Sequence, residues 1–254
     1  MINLKSPQNK ISWYLLFSIN FLKGILFTFF NKEFIINDIK INYPKNLMPL
    51  NQRSLFYDRT YEEEEYRLCQ KYIHKNDIVI ELGGCIGFIS CVINKKLKNQ
   101  LSHVVLEPNP KLIKYLEQNK EKNKCSFLIE NKIISNKKEE KLYLNHTILG
   151  SSITKESKDY IVVEGVKIKE LELKHSLTFN TLILDIEGAE YDFFKNIDFE
   201  QFKFEKIIVE FHNFANILSN EDVSYCKEKL YRAGFYCNEK IKHTEVWLKK
   251  NSKR

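Results

Sequence analysis

The sequence has no CxxC pair. Its six cysteines, Cys69, Cys85, Cys91, Cys125, Cys226 and Cys237, are scattered and form no ligand-like grouping with histidine. That excludes a zinc finger and a small disulfide scaffold, and it leaves reduced thiols in the cytoplasm as the expectation. An uninterrupted apolar run is also missing. The longest greasy stretch, ISWYLLFSINFLKGILFTFF over residues 11–30, carries Asn20 and Lys23 near its centre and then Gly24, which argues against a bilayer span. The FFNKEFII that follows lacks the small residues of a signal-peptide cleavage site, so the lone sequon Asn145-His146-Thr147 has no secretory context to give it weight. No internal repeat and no low-complexity linker interrupts the 254 residues.

Acidic side chains are the minority, 33 against 40 Lys and Arg, for a net charge of +7. Such a balance attracts a membrane surface, phosphorylated sugars or nucleic acid. The positive residues are dispersed and no RNA-binding motif is appended, so a solvated basic surface is the simpler reading and RNA the weaker partner.

Placed at about 100° per residue, Ser12, Asn20, Lys23, Gly24 and Thr28 share one broad arc of residues 11–30, with Trp13, Leu16, Phe17 and Phe27 intruding on it. This suits a helix lying in a membrane interface, with Lys5, Lys10 and Lys32 near lipid phosphate, and it equally suits a helix docked on protein. The expectation is an N-terminal extension over residues 1–60, peripheral on the inner membrane face of the cytoplasm, followed by one α/β domain over 61–254.

From residue 61 onward strands and helices alternate. DIVIEL (77–82), SHVVLEP (102–108) and CSFLIEN (125–131) read as strands separated by helices over 88–98 and 111–122. Residues 137–173 change character and read as an inserted, antiparallel β-rich segment with Gly165 at a hairpin turn. The rhythm resumes with TLILDI (181–186), a helix from 189, EKIIVEFH (205–212), a helix over 219–233 and an antiparallel pair around 234–250. Alternation of this kind implies right-handed crossovers and a doubly wound, mostly parallel sheet. With its antiparallel C-terminal pair, that is the Rossmann-like layout of class I methyltransferases.

In VIELGGCIGF the first strand meets the first helix through Glu81-x-Gly83-x-x-x-Gly87. Gly83, Gly84, Cys85 and Gly87 would let backbone approach a ligand at a helix N-terminus. The dinucleotide pattern GxGxxG fails, because Leu82 stands where its first glycine belongs. S-adenosylmethionine has no pyrophosphate to cradle but has a cationic amino-acid end that Glu81 could hold, directly or through water. Glu107 closes the second strand in VVLEPNP, 24 residues after Gly83, where a carboxylate can accept both ribose hydroxyls. Glu130-Asn131 ends the third strand, and Asn131 could read the adenine edge.

These residues resemble the FkbM-like S-adenosylmethionine-dependent methyltransferases. The likeness covers about residues 75–213 and rests on VIELGGCIGFIS, VVLEPNP, the Ser151-Ser152 pair, VKIKELEL, LILDIEGAEYD and IIVEFH, in family order. Cys85 stands where the family usually has Asn, which removes an amide from the methionine end of the cofactor site. The resemblance implies methyl transfer to a hydroxyl, often on a sugar or a polyketide-like acceptor, and points to glycan biosynthesis.

A methyl transfer needs acceptor oxygen, methyl carbon and sulfur in line, and an alcohol must lose a proton. Asp185 and Glu187 follow the fourth strand, and Glu210 and His212 end the fifth, at strand ends that should border the cofactor. Asp185 is the first candidate to orient or deprotonate the acceptor, Glu187 the second, with Glu210 and His212 completing the floor. Glu190 is a further candidate for the same chemistry, although a helix-start charge favoured by the macrodipole is the slightly better reading. Asp185, Glu187 and Glu210 could alternatively hold Mg²⁺. Two other classes fit the same residues: a non-catalytic adenosylmethionine-fold module, to which Cys85 gives room, and an RNA methyltransferase, which the charge favours.

Overall fold

The computed structural model describes residues 7–30, 33–143, 159–215 and 217–250; the Ser151-Ser152 pair and the sequon lie outside them. The N-terminal part consists of helix α1 (Pro7–Phe30), a hairpin of β1 (Phe34–Ile36) and β2 (Ile39–Ile41), and helices α2 (Leu50–Tyr57) and α3 (Glu63–Tyr72). It packs on the outside of the sheet: Phe34 stacks on Phe56 with ring centroids 4.6 Å apart and meets the edge of Phe88 at 5.6 Å.

Next come β3 (Val79–Leu82), α4 (Phe88–Lys96), β4 (His103–Leu106), α5 (Pro110–Lys122) and β5 (Leu128–Glu130). A small satellite sheet of β6 (Ile133–Ile134), β7 (Glu139–Tyr143) and β8 (Tyr160–Val166) leads into α6 (Ile168–His175). The chain closes with β9 (Thr181–Leu184), α7 (Glu190–Asn196), β10 (Lys206–Glu210), α8 (Asn220–Arg232), β11 (Phe235–Ile241) and β12 (Thr244–Lys249).

The seven-stranded sheet has the order β11-β12-β10-β9-β3-β4-β5. Strands β5, β4, β3, β9 and β10 pair in parallel, and β12 enters antiparallel between β10 and β11. All four residues of β3, β4 and β9 are buried, as strands covered by helices on both faces must be. Alternate residues divide between two cores: Val79, Ile183 and Ile208 face the α4 side, whereas Ile80, Leu182 and Ile207 face the α7 and α8 side. The doubly wound architecture expected from the sequence is therefore present. The crossing point lies between β3 and β9, the neighbours of opposite winding direction, where ligands of open α/β sheets bind.

Two expectations for the inserted segment need correction. Residues 168–175 form a helix instead of strand, because Ile168 and Leu171 are buried three apart, Leu173 is left 80% exposed, and the Glu170 carboxylate accepts the Lys167 N–H at 3.1 Å to cap the start. The segment is also not purely antiparallel, since β6 joins β8 in parallel. Gly165 lies inside β8, not at a turn; its N–H donates to the Lys138 carbonyl at 2.8 Å, and a Cβ there would meet the Lys137 carbonyl oxygen at 2.0 Å.

Candidate active site

The glycine turn is built by two backbone bonds: the N–H groups of Gly83 and Gly84 both donate to the Leu106 carbonyl at 3.0 Å. Gly83 has φ +97°, and a Cβ there would stand 1.7 Å from the carbonyl oxygen of Asp185. Only glycine allows the ends of β3 and β9 to come this close. Gly83→Ala should therefore destabilise the fold by at least about 1–3 kcal/mol through overpacking, with strain at φ added to it. A lowered denaturation midpoint measures this, and an unchanged midpoint would mean that the turn is not held as described.

Glu107 follows β4 and is 5% exposed. Its Oε2 accepts the Cys85 N–H at 2.8 Å and its Oε1 the Asn109 N–H at 2.7 Å. Each oxygen keeps a second lone pair for a ligand. Burial pushes this carboxyl up, the two backbone donors pull it back, and it comes to rest at about 7.

Asn131 donates its amide to the carbonyls of Glu107 and Pro108 at 2.8 and 3.1 Å, which ties the end of β5 to the Glu107 loop. Glu130 is turned away to Lys174 and His175 of α6, at 2.6 and 2.7 Å. Glu81 is 2% exposed and both of its oxygens are engaged, by Ser90 Oγ at 2.6 Å and His103 Nε2 at 2.8 Å. The pleat points it toward α4, so a direct grip on a cofactor would cost one of these bonds, and its observed part is to brace the turn from below. Cys85 has φ 46°, and its Sγ lies 3.7 Å from the hydroxyl of buried Tyr61.

Across the crossing point stand the carboxylates of the β9 and β10 ends. His212, 4% exposed, organises them. Its Nδ1 lies 2.7 Å from Glu190 Oε1, and its Nε2 faces Asp185 Oδ1 at 3.4 Å and Glu187 Oε2 at 3.5 Å. Burial pulls the imidazole down, but the Glu190 bond and the charges of Asp185, Glu190 and Glu187 outweigh it and push it up to about 10. The surrounding carboxylates thus favour the protonated, cationic ring. Burial pushes Glu210 up to about 8, and Asp185 adds repulsion; Asp185 is itself raised, first by burial. Asp185 Oδ1 is buried and accepts no hydrogen bond from the described residues. Glu187 holds φ 51°, left-handed like Cys85 across the gap, and non-glycine residues in that region collect where function tolerates strain.

Three further acids take part, of which Glu62 and Glu65 escaped the sequence reading. Glu190 is fully buried and also accepts the Gly188 N–H at 3.1 Å. It starts α7 as expected, yet its larger part is to fix the His212 ring. Glu62 and Glu65, at the start of α3, are raised well above the usual carboxylate range, by burial first and then by the charge of Asp185 among others. The run Glu62-Glu63-Glu64-Glu65 is visible in the sequence but reads as a helix-start charge cluster, and nothing local brings it to the end of β9.

The donor atoms of Asp185, Glu187 and His212 lie within 4.8 Å of one another and could hold a metal ion. Glu210, expected in that set, is not in the group, and His212 replaces it. With Nδ1 directed at Glu190, it is Nε2 that would serve as ligand, an arrangement common around metal-bound histidine.

Residues 81–251 match the family described as Methyltransferase FkbM domain. No curated protein matches the chain. Among solved structures, a methyltransferase from Pyrococcus furiosus is similar at 15% identity and TM-score 0.49, over 92% of this chain and 99% of that one. A putative RNA methyltransferase from Pyrococcus horikoshii is similar at 12% identity and TM-score 0.46, over 93% and 98%. An O-methyltransferase from Bacillus cereus in complex with SAH is similar at 12% identity and TM-score 0.41, over 72% and 78%.

Proposed function

The chain belongs to the FkbM methyltransferase family, and from that membership we propose an S-adenosylmethionine-dependent O-methyltransferase acting on a hydroxyl of a saccharide or related acceptor in glycan assembly. The observation that carries the reading is the pairing of two half-sites across the β3–β9 crossing point. Gly83, Gly84, Gly87, Cys85 and Glu107 form a cradle suited to the nucleoside, with Asn131 behind it. Asp185, Glu187, Glu210 and His212 form an acidic rim suited to a hydroxyl.

S-adenosylmethionine supplies, when bound, an electrophilic methyl group and a positive sulfonium charge that disappears on transfer. Against that chemistry the surplus of carboxylates has a purpose. Asp185, with a buried oxygen that accepts no hydrogen bond from the described residues, orients the acceptor hydroxyl and takes its proton. Its raised pKa makes it a better base than an ordinary aspartate. His212, held by Glu190, favours the ionised form of Asp185 and lines up Asp185 and Glu187 at 3.4 and 3.5 Å from its Nε2. Glu210 screens the floor of the pocket.

A divalent cation on Asp185, Glu187 and His212 is a second reading, favoured by the closeness of the three donors. It would polarise the acceptor hydroxyl. Two carboxylates and an imidazole suit Mn²⁺ or a similar ion better than the Mg²⁺ expected from an all-carboxylate set. Work at the inner membrane face, through residues 11–30, is part of the same proposal and draws support from the exposed apolar side chains of α1.

The experiment is transfer of labelled methyl from S-adenosylmethionine into fractionated glycan, lipid and RNA pools of the source organism, with and without chelator. Label in saccharide-bearing material as an alkali-stable ether is the expected result. Label confined to RNA, or none in any pool, would sink the saccharide reading, and loss of transfer with chelator would select the metal form.

A further inference from the structure

The N-terminal end of α3 is fastened to both half-sites. On one side the Tyr61 hydroxyl lies 3.7 Å from Cys85 Sγ, and Tyr66 stacks on Phe88, the first residue of α4, with ring centroids 5.8 Å apart. On the other side Glu64 pairs with Lys242 in the turn between β11 and β12, two residues before Thr244, the register partner of Glu210. Between these two anchors Glu65 is only 4% exposed. Leu68 and Cys69, three and four residues on, are fully buried, so Glu65 stands on the inward face of the helix.

Glu65 forms no hydrogen bond and no ion pair with the described residues. Of the cations at the site, His212 is tied to Glu190 and Lys242 to Glu64. Burial pushes the Glu65 carboxyl up, and the charges that bear on it most, those of Asp185, Glu62, Glu210 and Glu81, are all negative. A charge that served only the α3 macrodipole would do so from the solvent. A buried carboxyl without a partner is costly to keep.

What such a group lacks is a cation brought by a ligand. A metal ion suits it poorly: among the described residues the donors close enough to share one are those of Asp185, Glu187 and His212, and Glu65 is outside that group. An ammonium group can serve carboxylates that stand apart, since its three N–H donors bond separately. The sulfonium of the cofactor does not meet the need either. Its charge disappears on transfer, so acids that served it alone would stabilise the starting state over the transition state and slow the reaction. We propose that the acceptor bears a protonated amine beside its hydroxyl, as an amino sugar does, and that Glu65, with Glu62, holds this ammonium, an assignment that rests on the methyltransferase reading above.

The test is calorimetry of the full chain, with and without S-adenosylhomocysteine, against methyl glucosaminide, with methyl N-acetylglucosaminide and methyl glucoside as neutral controls. Beside it, labelled-methyl transfer is measured into the glycan pool of the source organism before and after N-acetylation with acetic anhydride. Expected are binding of the glucosaminide about tenfold or more tighter than of either control, loss of that preference in Glu65→Gln, and loss of most of the label after acetylation. Glutamine keeps the shape and removes the charge, so circular dichroism and S-adenosylmethionine affinity of that variant should match the parent, and Glu65→Asp should restore part of the preference. Equal binding of the three sugars overturns the ammonium site, as does a preference that survives Glu65→Gln combined with Glu62→Gln. Undiminished label after acetylation overturns the aminated acceptor. Absence of S-adenosylmethionine binding would instead remove the methyltransferase reading and leave the sugar preference standing.

Discussion

Asp185→Asn is expected to bind S-adenosylmethionine with nearly the parent affinity and to lose turnover by about 10²- to 10⁴-fold, the usual worth of a positioned base. Asparagine keeps the shape of the side chain, so the contact of Gly83 with the Asp185 carbonyl oxygen, a backbone contact, survives. What disappears is the charge that faces His212 Nε2 at 3.4 Å and, with it, the capacity to take a proton. Single-turnover kinetics at saturating cofactor measure the loss. Equal loss of cofactor binding and turnover would contradict the separation of cradle and acidic rim.

Glu107→Ala reverses that pattern. Two backbone N–H groups, of Cys85 and Asn109, lose their acceptor in a buried place, and the cradle loses its anion. A hydrogen bond to a charged group contributes about 1.5–3 kcal/mol, so the dissociation constant for S-adenosylmethionine should rise on the order of 10- to 100-fold, with a smaller change in turnover at saturation. The pH dependence has a definite sign. Because burial raises the Glu107 carboxyl to about 7, its ionised form, the one that accepts two ribose hydroxyls, fills as pH rises through that value. Parent affinity should therefore strengthen between mildly acidic and mildly basic pH, and this dependence should be missing in Glu107→Ala. A variant that keeps both the affinity and the slope would remove Glu107 from the cradle.

Much of this was legible because it is local. A glycine turn between a buried strand and a helix, and a carboxylate one strand later, are patterns that the chain writes within a few residues of one another. The alternation of strands and helices likewise led to the sheet, since no other covering buries both faces of Val79–Leu82 and Thr181–Leu184. Where the reading failed, two periods fitted one stretch or a partner came from afar. VKIKELEL alternates like a strand, but burial of Ile168 and Leu171 with Leu173 in solvent makes it helical. Glu81 is held on both oxygens by His103 and Ser90, and neither partner is marked in the sequence.

Glu190 is the clearest case of distance. At the first turn of α7 it reads as a charge favoured by the macrodipole. Twenty-two residues later the end of β10 brings His212 Nδ1 to 2.7 Å, and the same carboxylate becomes the group that sets which imidazole nitrogen faces the acceptor side. Glu62 and Glu65 are similar, since only the packing of α3 brings a solvated-looking run within reach of the charges of Asp185, Glu81 and Glu210.

Titration calorimetry of the unmodified chain with S-adenosylmethionine tests the central claim most directly. Saturable binding at one site per chain, weakened in Glu107→Ala and retained in Asp185→Asn, is the predicted result; absence of any binding at millimolar ligand would contradict it.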